Sequence, residues 1–221
     1  MKRKNFENWW SENLFSDKTE YQHLGQKFRM PSLEEFSESW MGSINEEDRI
    51  EVRKNFRNFK SLLDVGCGGS PEFYGIQKKY KKLKYTGLDI TPEIVQYNLD
   101  RGINCVIGSA NNIPFDNSTF DIVHSRHVIE HMQDFKKPLE EMIRVARYIV
   151  LIPFFIDPIE SGESIKSLDN EGTEFEIYHN QYSKSEISEF LDSNIKVKGY
   201  KYLKLKGLSK TLLKIKVKNS I

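Results

Sequence analysis

Residues 61–71 read Ser61-Leu62-Leu63-Asp64-Val65-Gly66-Cys67-Gly68-Gly69-Ser70-Pro71, and this stretch decides the fold. Ser61 to Val65 is a short apolar run that carries an acid and breaks into a glycine turn, the pattern of a buried parallel strand. Ser70-Pro71-Glu72 then supplies an N-cap, a proline at the first helical position and an acid in the first turn. A helix to about Tyr80 is expected. Outward from this unit the alternation repeats. Lys84 to Ile90 reads as a strand, Thr91-Pro92-Glu93 starts a second helix, and Gly102 ends it. Strands follow over Asn104–Ile107 and Phe120–His124, a helix over Phe135–Ala146 and a strand over Tyr148–Ile152. Ser183 with Glu186 predicts a capping box for a helix to Leu191. Two more strands are expected over Lys196–Leu203 and Leu212–Val217. Strand and helix alternating this regularly predict an α/β fold with a doubly wound, mostly parallel, seven-stranded sheet.

Upstream of Ser61 the character differs. Residues 1–58 are charged, with Trp9, Trp10, Tyr21, Phe28, Phe36 and Trp40 scattered through them. Helical spacing predicts helices over Ser32–Trp40 and Asn45–Phe59, and no strand run is evident. We therefore divide the chain into a helical N-terminal cap, 1–58, and a ligand-binding domain, 59–221.

Bulk properties narrow the function. The 221 residues carry a formal net charge of +1, so nothing global points to nucleic acid or to an anionic membrane. Cys67 and Cys105 are too few for a disulfide framework and lack metal-ligand spacing, which suits a reducing compartment. The basic N-terminus has no apolar segment after it, and no apolar run approaches the ~20 residues of a membrane span. The expected location is cytoplasmic. Locally, no acid follows Asp192, while lysines recur at 196, 198, 201, 204, 206, 210, 214, 216 and 218. These form either a solvated strand face or a surface for an anionic partner or substrate.

In an open α/β sheet the ligand sits at the carboxyl ends of the strands. The turn at Gly66 and Gly68 lets backbone approach a ligand and exposes N–H groups. A dinucleotide fingerprint would need glycine at 66, 68 and 71, but Pro71 stands there, and Asp64 is an acid that fingerprint lacks. Asp89 follows Gly66 by 23 residues, at the end of the second strand. That spacing suits a carboxylate accepting hydrogen bonds from a ribose diol.

The run LLDVGCGGSP resembles the first motif of the class I S-adenosylmethionine-dependent methyltransferases, D-x-G-x-G-x-G, with Ser70 at the third glycine position. Residues 106–134, VIGSANNIPFDNSTFDIVHSRHVIEHMQD, resemble that family's G-D-A-x-x-L-P-F stretch and the F-D-x-V and L-E-H segments after it. The likeness extends over about Ser61 to Leu191. It implies a Rossmann-like methyltransferase fold, S-adenosylmethionine as cofactor and S-adenosylhomocysteine as product. By the same resemblance Asp64 orients the methionine end, Gly66 and Gly68 pack on it, and Asp89 binds the ribose. Ile90 covers one adenine face, Ser109 (where the family usually has Asp) and Ala110 read the adenine edge, and the Ser125 carbonyl takes the methionine amino group.

The implied reaction is an in-line displacement at a sulfonium methyl, in which the protein chiefly supplies alignment. An oxygen acceptor also needs a proton acceptor, and His124, His127, His131 and His179 are candidates. His127, Glu130 and His131 stand at i, i+3 and i+4, one face of a helix. They resemble the acid-x-x-Glu-His metal site of ubiquinone-pathway O-methyltransferases, with His127 replacing the acid, so they are also candidate metal ligands. Arg29 is a candidate for the methionine carboxylate or an acidic acceptor, and some cap aromatics for an acceptor pocket. The expected function is methyl transfer to a small molecule, to oxygen rather than nitrogen. No Asn/Asp-Pro-Pro-aromatic run follows the fourth strand, which argues against nucleobase amino groups. Two other classes stay open: a nicotinamide-dependent dehydrogenase, opposed by Pro71, and a non-catalytic cofactor-binding subunit, suggested by Ser70 and Ser109.

Overall fold

A computed structural model describes residues 20–23, 26–29, 32–77, 79–169 and 177–218. Trp9, Trp10 and the Arg29 side chain lie outside the described residues. The central sheet contains β3 (Ser61–Val65), β4 (Lys84–Asp89), β5 (Cys105–Ile107), β6 (Phe120–Ser125), β7 (Ala146–Pro153), β10 (Val197–Lys204) and β11 (Thr211–Val217). Its order is β10-β11-β7-β6-β3-β4-β5, and β8 (Leu168–Asp169) and β9 (Ile177–Tyr178) pair separately. The pairs β3–β4, β3–β6, β4–β5 and β6–β7 are parallel, and β11 runs antiparallel to both of its neighbours. The seven-stranded, mostly parallel sheet read from the alternation is the sheet observed.

Strand alternation divides the core between two faces. On one, Leu63, Val65, Val123, Val150, Leu213 and Ile215 pack with Leu139, Met142 and Ile143 of α5 (Lys136–Val145) and with Ile187 and Leu191 of α6 (Lys184–Ser193). On the other, Leu62, Ile122, Ile149, Leu151 and Leu212 pack with Val52 of α2 (Glu47–Arg53), with Phe56, and with Ile76 of α3 (Pro71–Gln77). Helix α4 (Pro92–Leu99) stops where Gly102, at φ +70°, donates its N–H to the Leu99 carbonyl. This winding brings the carboxyl ends of β3, β4 and β6 to one rim of the sheet.

Three expectations need correction. The N-terminal segment contains a hairpin, β1 (Glu20–His23) and β2 (Gln26–Arg29), where no strand was expected. Its strands are four residues long and mostly polar, so periodicity cannot reveal them; the register sets Glu20 opposite Arg29 and Tyr21 opposite Phe28. The expected helix over Asn45–Phe59 is shorter, with α2 flanked by three-ten turns at Ser43–Asn45 and Lys54–Phe56. The capping box at Ser183 does not form. The Ser183 hydroxyl pairs with that of Ser185, and the Glu186 carboxylate takes the N–H and hydroxyl of Ser164, so a tertiary partner displaces the local one. A capping box forms instead at Ser32 and Glu35, opening α1 (Leu33–Gly42).

Candidate functional site

The glycine turn is built by close approach. Gly66 and Cys67 both donate their N–H groups to the Leu88 carbonyl, which pins the turn to β4. Gly66 stands at φ +69°, and a Cβ there would lie 2.3 Å from Cγ2 of Val128. A Cβ on Gly69 would lie 2.4 Å from the Trp40 ring, so the last turn of α1 lies directly over the loop. Ser70 also adopts the left-handed region, at φ +56°, the conformation that glycine takes at least cost.

This turn borders a cavity of about 260 Å³. Of the residues expected to hold the cofactor, Asp64, Gly66, Gly68, Asp89, Ile90 and Ala110 line it. Asp89 is buried; Oδ2 accepts the Gly68 N–H at 3.0 Å and Oδ1 the Thr91 N–H at 3.1 Å. Burial raises its pKa above the usual carboxylate value, against the pull of those N–H groups. Two of its lone-pair sites are thus used to shape the loop, and a carboxylate has about four. Asp64 is held by the Tyr85 hydroxyl at 2.8 Å and by His124 Nδ1 at 2.7 Å.

Ser109 and Ser125 are not on the cavity wall. The Ser109 hydroxyl accepts the Asn111 N–H at 3.0 Å, and the Ser125 hydroxyl donates to the Val65 carbonyl at 3.2 Å. Gly108, beside Ser109, does border the cavity.

The opposite wall comes from the turn after β6. His127 and His131 line the cavity, together with Arg126, Val128 and Met132. The expected shared helix face of His127, Glu130 and His131 is corrected. His127 sits at φ +58° and only Ile129–His131 forms a three-ten turn, so Glu130 turns away from the side that His127 and His131 share. Glu130 is fully buried away from the cavity, where Oε1 accepts the Phe155 N–H at 2.6 Å. Burial pushes its pKa up to about 7. Among the described residues no group of three His, Cys, Asp or Glu is placed to hold a metal ion.

The two histidines differ. His127 Nε2 pairs with the Ser209 hydroxyl at 2.8 Å, and burial together with the Arg126 charge lowers its pKa to about 3. His131 Nδ1 lies 2.9 Å from the Tyr178 carbonyl, which accepts only, so the proton sits on Nδ1 and the lone pair on Nε2. Burial lowers the His131 pKa to about 4, and both rings are neutral at pH 7. His179 packs edge-on against His131, with ring centroids 5.1 Å apart.

Two residues of the wall, Arg49 and Arg126, were not expected from the sequence. Arg49 and Arg126 line the cavity with Trp40 and His124. Arg126 donates to Asp48 at 2.8 Å and to Glu46 at 3.0 Å, while Arg49 and Arg53 clamp the two oxygens of Glu72, at 2.5 and 2.7 Å. Charges at i and i+4 on α2 gave only a weak signal, because their partners are 19 to 78 residues away.

Comparison with known proteins bears on this geometry. Residues 63–148, which contain the glycine turn, Asp89 and the turn after β6, match the methyltransferase domain family. Residues 63–148 thus form a methyltransferase domain of the class I S-adenosylmethionine-dependent type. It is 36% identical over 119 residues to ajmaline N-methyltransferase of Rauvolfia serpentina, covering 48% of this chain and 40% of that protein. It is 31% identical over 119 residues to the phthiotriol/phenolphthiotriol dimycocerosates methyltransferase of Mycobacterium leprae, covering 52% of this chain and 44% of that one. The match thus spans less than half the length of these curated relatives. Among solved structures, the PH0226 protein of Pyrococcus horikoshii OT3 superposes with a TM-score of 0.57 over 79% of this chain and 93% of its own, at 16% identity. That likeness concerns the fold alone. The methyltransferase family's cofactor is S-adenosylmethionine, and the glycine cradle with its buried acid has the form such a nucleoside needs.

Proposed function

We propose that this methyltransferase transfers the sulfonium methyl of S-adenosylmethionine to a small-molecule acceptor, with oxygen as the accepting atom. The observation that carries the reading is one cavity bounded on one side by the glycine turn and Asp89, and on the other by two neutral histidines. Asp89 would hold the ribose, Ile90 and Ala110 the adenine, and Gly66 and Gly68 the methionine chain. When bound, the cofactor supplies a methyl group already activated for displacement. The protein's own task is alignment and exclusion of water, which offers about 7–11 kcal/mol in principle.

Of the histidines, His131 suits proton acceptance from an acceptor hydroxyl, because its Nδ1 partner leaves the lone pair on Nε2. His127 is engaged by the Ser209 hydroxyl at 2.8 Å and by Arg126 at 3.5 Å. Glu130 supports the loop at Phe155 and does not touch the acceptor. Nitrogen as acceptor is the second reading, favoured by the N-methyltransferase names of two relatives. A neutral amine attacks without a base, so the two readings part at His131.

Calorimetry should show S-adenosylhomocysteine binding at micromolar affinity or better, with no binding of NAD or NADP; the reverse pattern would sink the proposal. With an acceptor in hand, His131→Ala should reduce turnover while leaving cofactor affinity unchanged. Undiminished turnover would favour nitrogen.

A further inference from the structure

The β10–β11 hairpin has no role in the reading above, yet it is tied to the cavity. Leu205 donates to the Lys210 carbonyl, so Lys206 to Ser209 form the loop. Ser209 is fully buried. Its N–H goes to Asp48 at 3.1 Å and its hydroxyl to His127 at 2.8 Å. With Ser209 held inward, Lys206, Gly207 and Leu208 project to solvent, and Lys210 is exposed beside them. Leu208 is 52% exposed. Nearby, Ile50 is 45% exposed and shares a shallow depression with Lys204 and Lys206; its remaining lining residues are Glu47 and Glu51 of α2. Phe155, 43% exposed, packs against His127 on the cavity side.

Within the C-terminal segment the charge pattern is one-sided. Residues 193–221 contain nine lysines and no acid. The register sets Lys201 directly opposite Lys214, with Lys216 two residues further along the same face. Like charges opposed across a ladder destabilise it, and burial with the charges of Lys201 and Lys216 lowers the Lys214 pKa. An anionic surface would relieve this repulsion. Lysines with apolar side chains between them suit a lipid headgroup layer, where the ammonium groups meet phosphate and the apolar tip reaches the acyl boundary. A single-stranded nucleic acid would call for exposed aromatic platforms, and Tyr200 and Tyr202 are instead half-buried against the core.

We propose that the 206–210 hairpin loop, with Leu208 at its tip and the exposed Lys204, Lys206 and Lys210 around it, docks this protein on an anionic lipid bilayer. Docking in this way turns the His127 side of the cavity toward the membrane. The binding itself does not depend on the methyl-transfer reading.

The test is co-sedimentation of the full chain with phosphatidylcholine vesicles, with and without phosphatidylglycerol, at low and high salt. Binding is expected to the phosphatidylglycerol vesicles only, and to weaken with salt. The double variant Lys206→Ala with Lys210→Ala should lower partitioning by about 30-fold. Leu208→Ser should lower it by roughly tenfold. Both should keep the parent's melting temperature and S-adenosylhomocysteine affinity, since none of these side chains lines the cavity. A Leu208→Trp variant gives a reading without loss of function: its emission should shift to the blue only with anionic vesicles. The proposal is overturned by no binding, by equal binding to phosphatidylcholine alone, or by an unshifted emission. Tight binding to heparin that is indifferent to Leu208 would also overturn it, assigning the lysines to a polyanion instead.

Discussion

The two walls of the cavity are built by different means. The floor under Gly66, Gly68 and Asp89 is made by residues on consecutive units of the sheet, and its shape comes from backbone: the N–H groups of Gly66 and Cys67 on Leu88, and that of Gly68 on Asp89. The wall carrying Arg126, His127 and His131 is held by side chains that arrive from far along the chain. Asp48 comes from α2, Ser209 from the β10–β11 loop and the Tyr178 carbonyl from β9 (Ile177–Tyr178). The floor therefore tolerates almost no substitution in its turn, whereas the wall can be retuned through distant partners. A conserved nucleoside on one side and a chain-specific acceptor on the other would call for this division.

The largest effect should come from the floor. Gly66→Ala adds a Cβ 2.3 Å from Val128 and forces a left-handed conformation on a side chain. The backbone cost is about 1–2 kcal/mol and overpacking adds about 1–3 kcal/mol. Chemical denaturation should show a loss near 3 kcal/mol or more. A loss below 1 kcal/mol would mean that the floor is as adaptable as the wall.

The wall should reveal itself through pH. The Glu130 pKa rises from 4.5 unfolded to about 7 folded, so between these values the folded state holds the extra proton. Stability from this group is present below pH 4.5 and declines as pH rises to 7, by about 3 kcal/mol at most. His127 and His131 act oppositely, since their folded pKa values of about 3 and 4 lie below 6.5. Their contribution is present above pH 6.5 and declines as pH falls, toward about 4 for His131 and about 3 for His127. Glu130→Gln keeps an oxygen for the Phe155 N–H and removes the titration. The variant should gain stability relative to the parent as pH rises from 5 to 8, measured by denaturation at each pH. A pH-independent difference would show that Glu130 ionises without penalty.

The same contrast decides what could be read in the sequence. The fold was legible because each β–turn–α unit carries its own start and stop residues, and Pro71, Pro92 and Gly102 act within a few positions of themselves. The floor was legible for that reason, down to Asp89. The wall was half legible: His127 and His131 were found from their place after β6. The departure of Glu130 from them was not, because it depends on His127 adopting φ +58° and on Glu130 finding the Phe155 N–H 25 residues away. Arg49 and Arg126 were missed altogether, and Trp40 stood only as one of several cap aromatics that could line an acceptor pocket. Nothing local marks a residue whose partner or cover is set by tertiary packing, and the failed capping box at Ser183 has the same cause.

A smaller effect, in binding, separates the floor's two duties. Asp89→Ala should weaken S-adenosylhomocysteine binding by about 1.5–3 kcal/mol, the range for hydrogen bonds to a charged group. Because Asp89 also accepts from Gly68 and Thr91, its loss should lower the melting temperature without unfolding the chain. Calorimetry showing unchanged affinity in a folded variant would place the ribose elsewhere.

The smallest effect is the inverse of the first and concerns Ser70, where the glycine pattern of the turn is broken. Ser70 holds φ +56°, a conformation that costs a side-chain-bearing residue roughly 1–2 kcal/mol. Glycine would remove that cost but would make the unfolded chain more flexible, which takes back about 0.4–1 kcal/mol. Ser70→Gly should therefore stabilise the protein slightly, by about 0.5–1 kcal/mol in chemical denaturation. Cofactor affinity should stay the same, because Ser70 is fully buried and does not border the cavity. Loss of stability would mean that the Ser70 side chain contributes packing that outweighs its backbone conformation. The turn would then depend on side chains as the opposite wall does, and the distinction between the two would fail at this position.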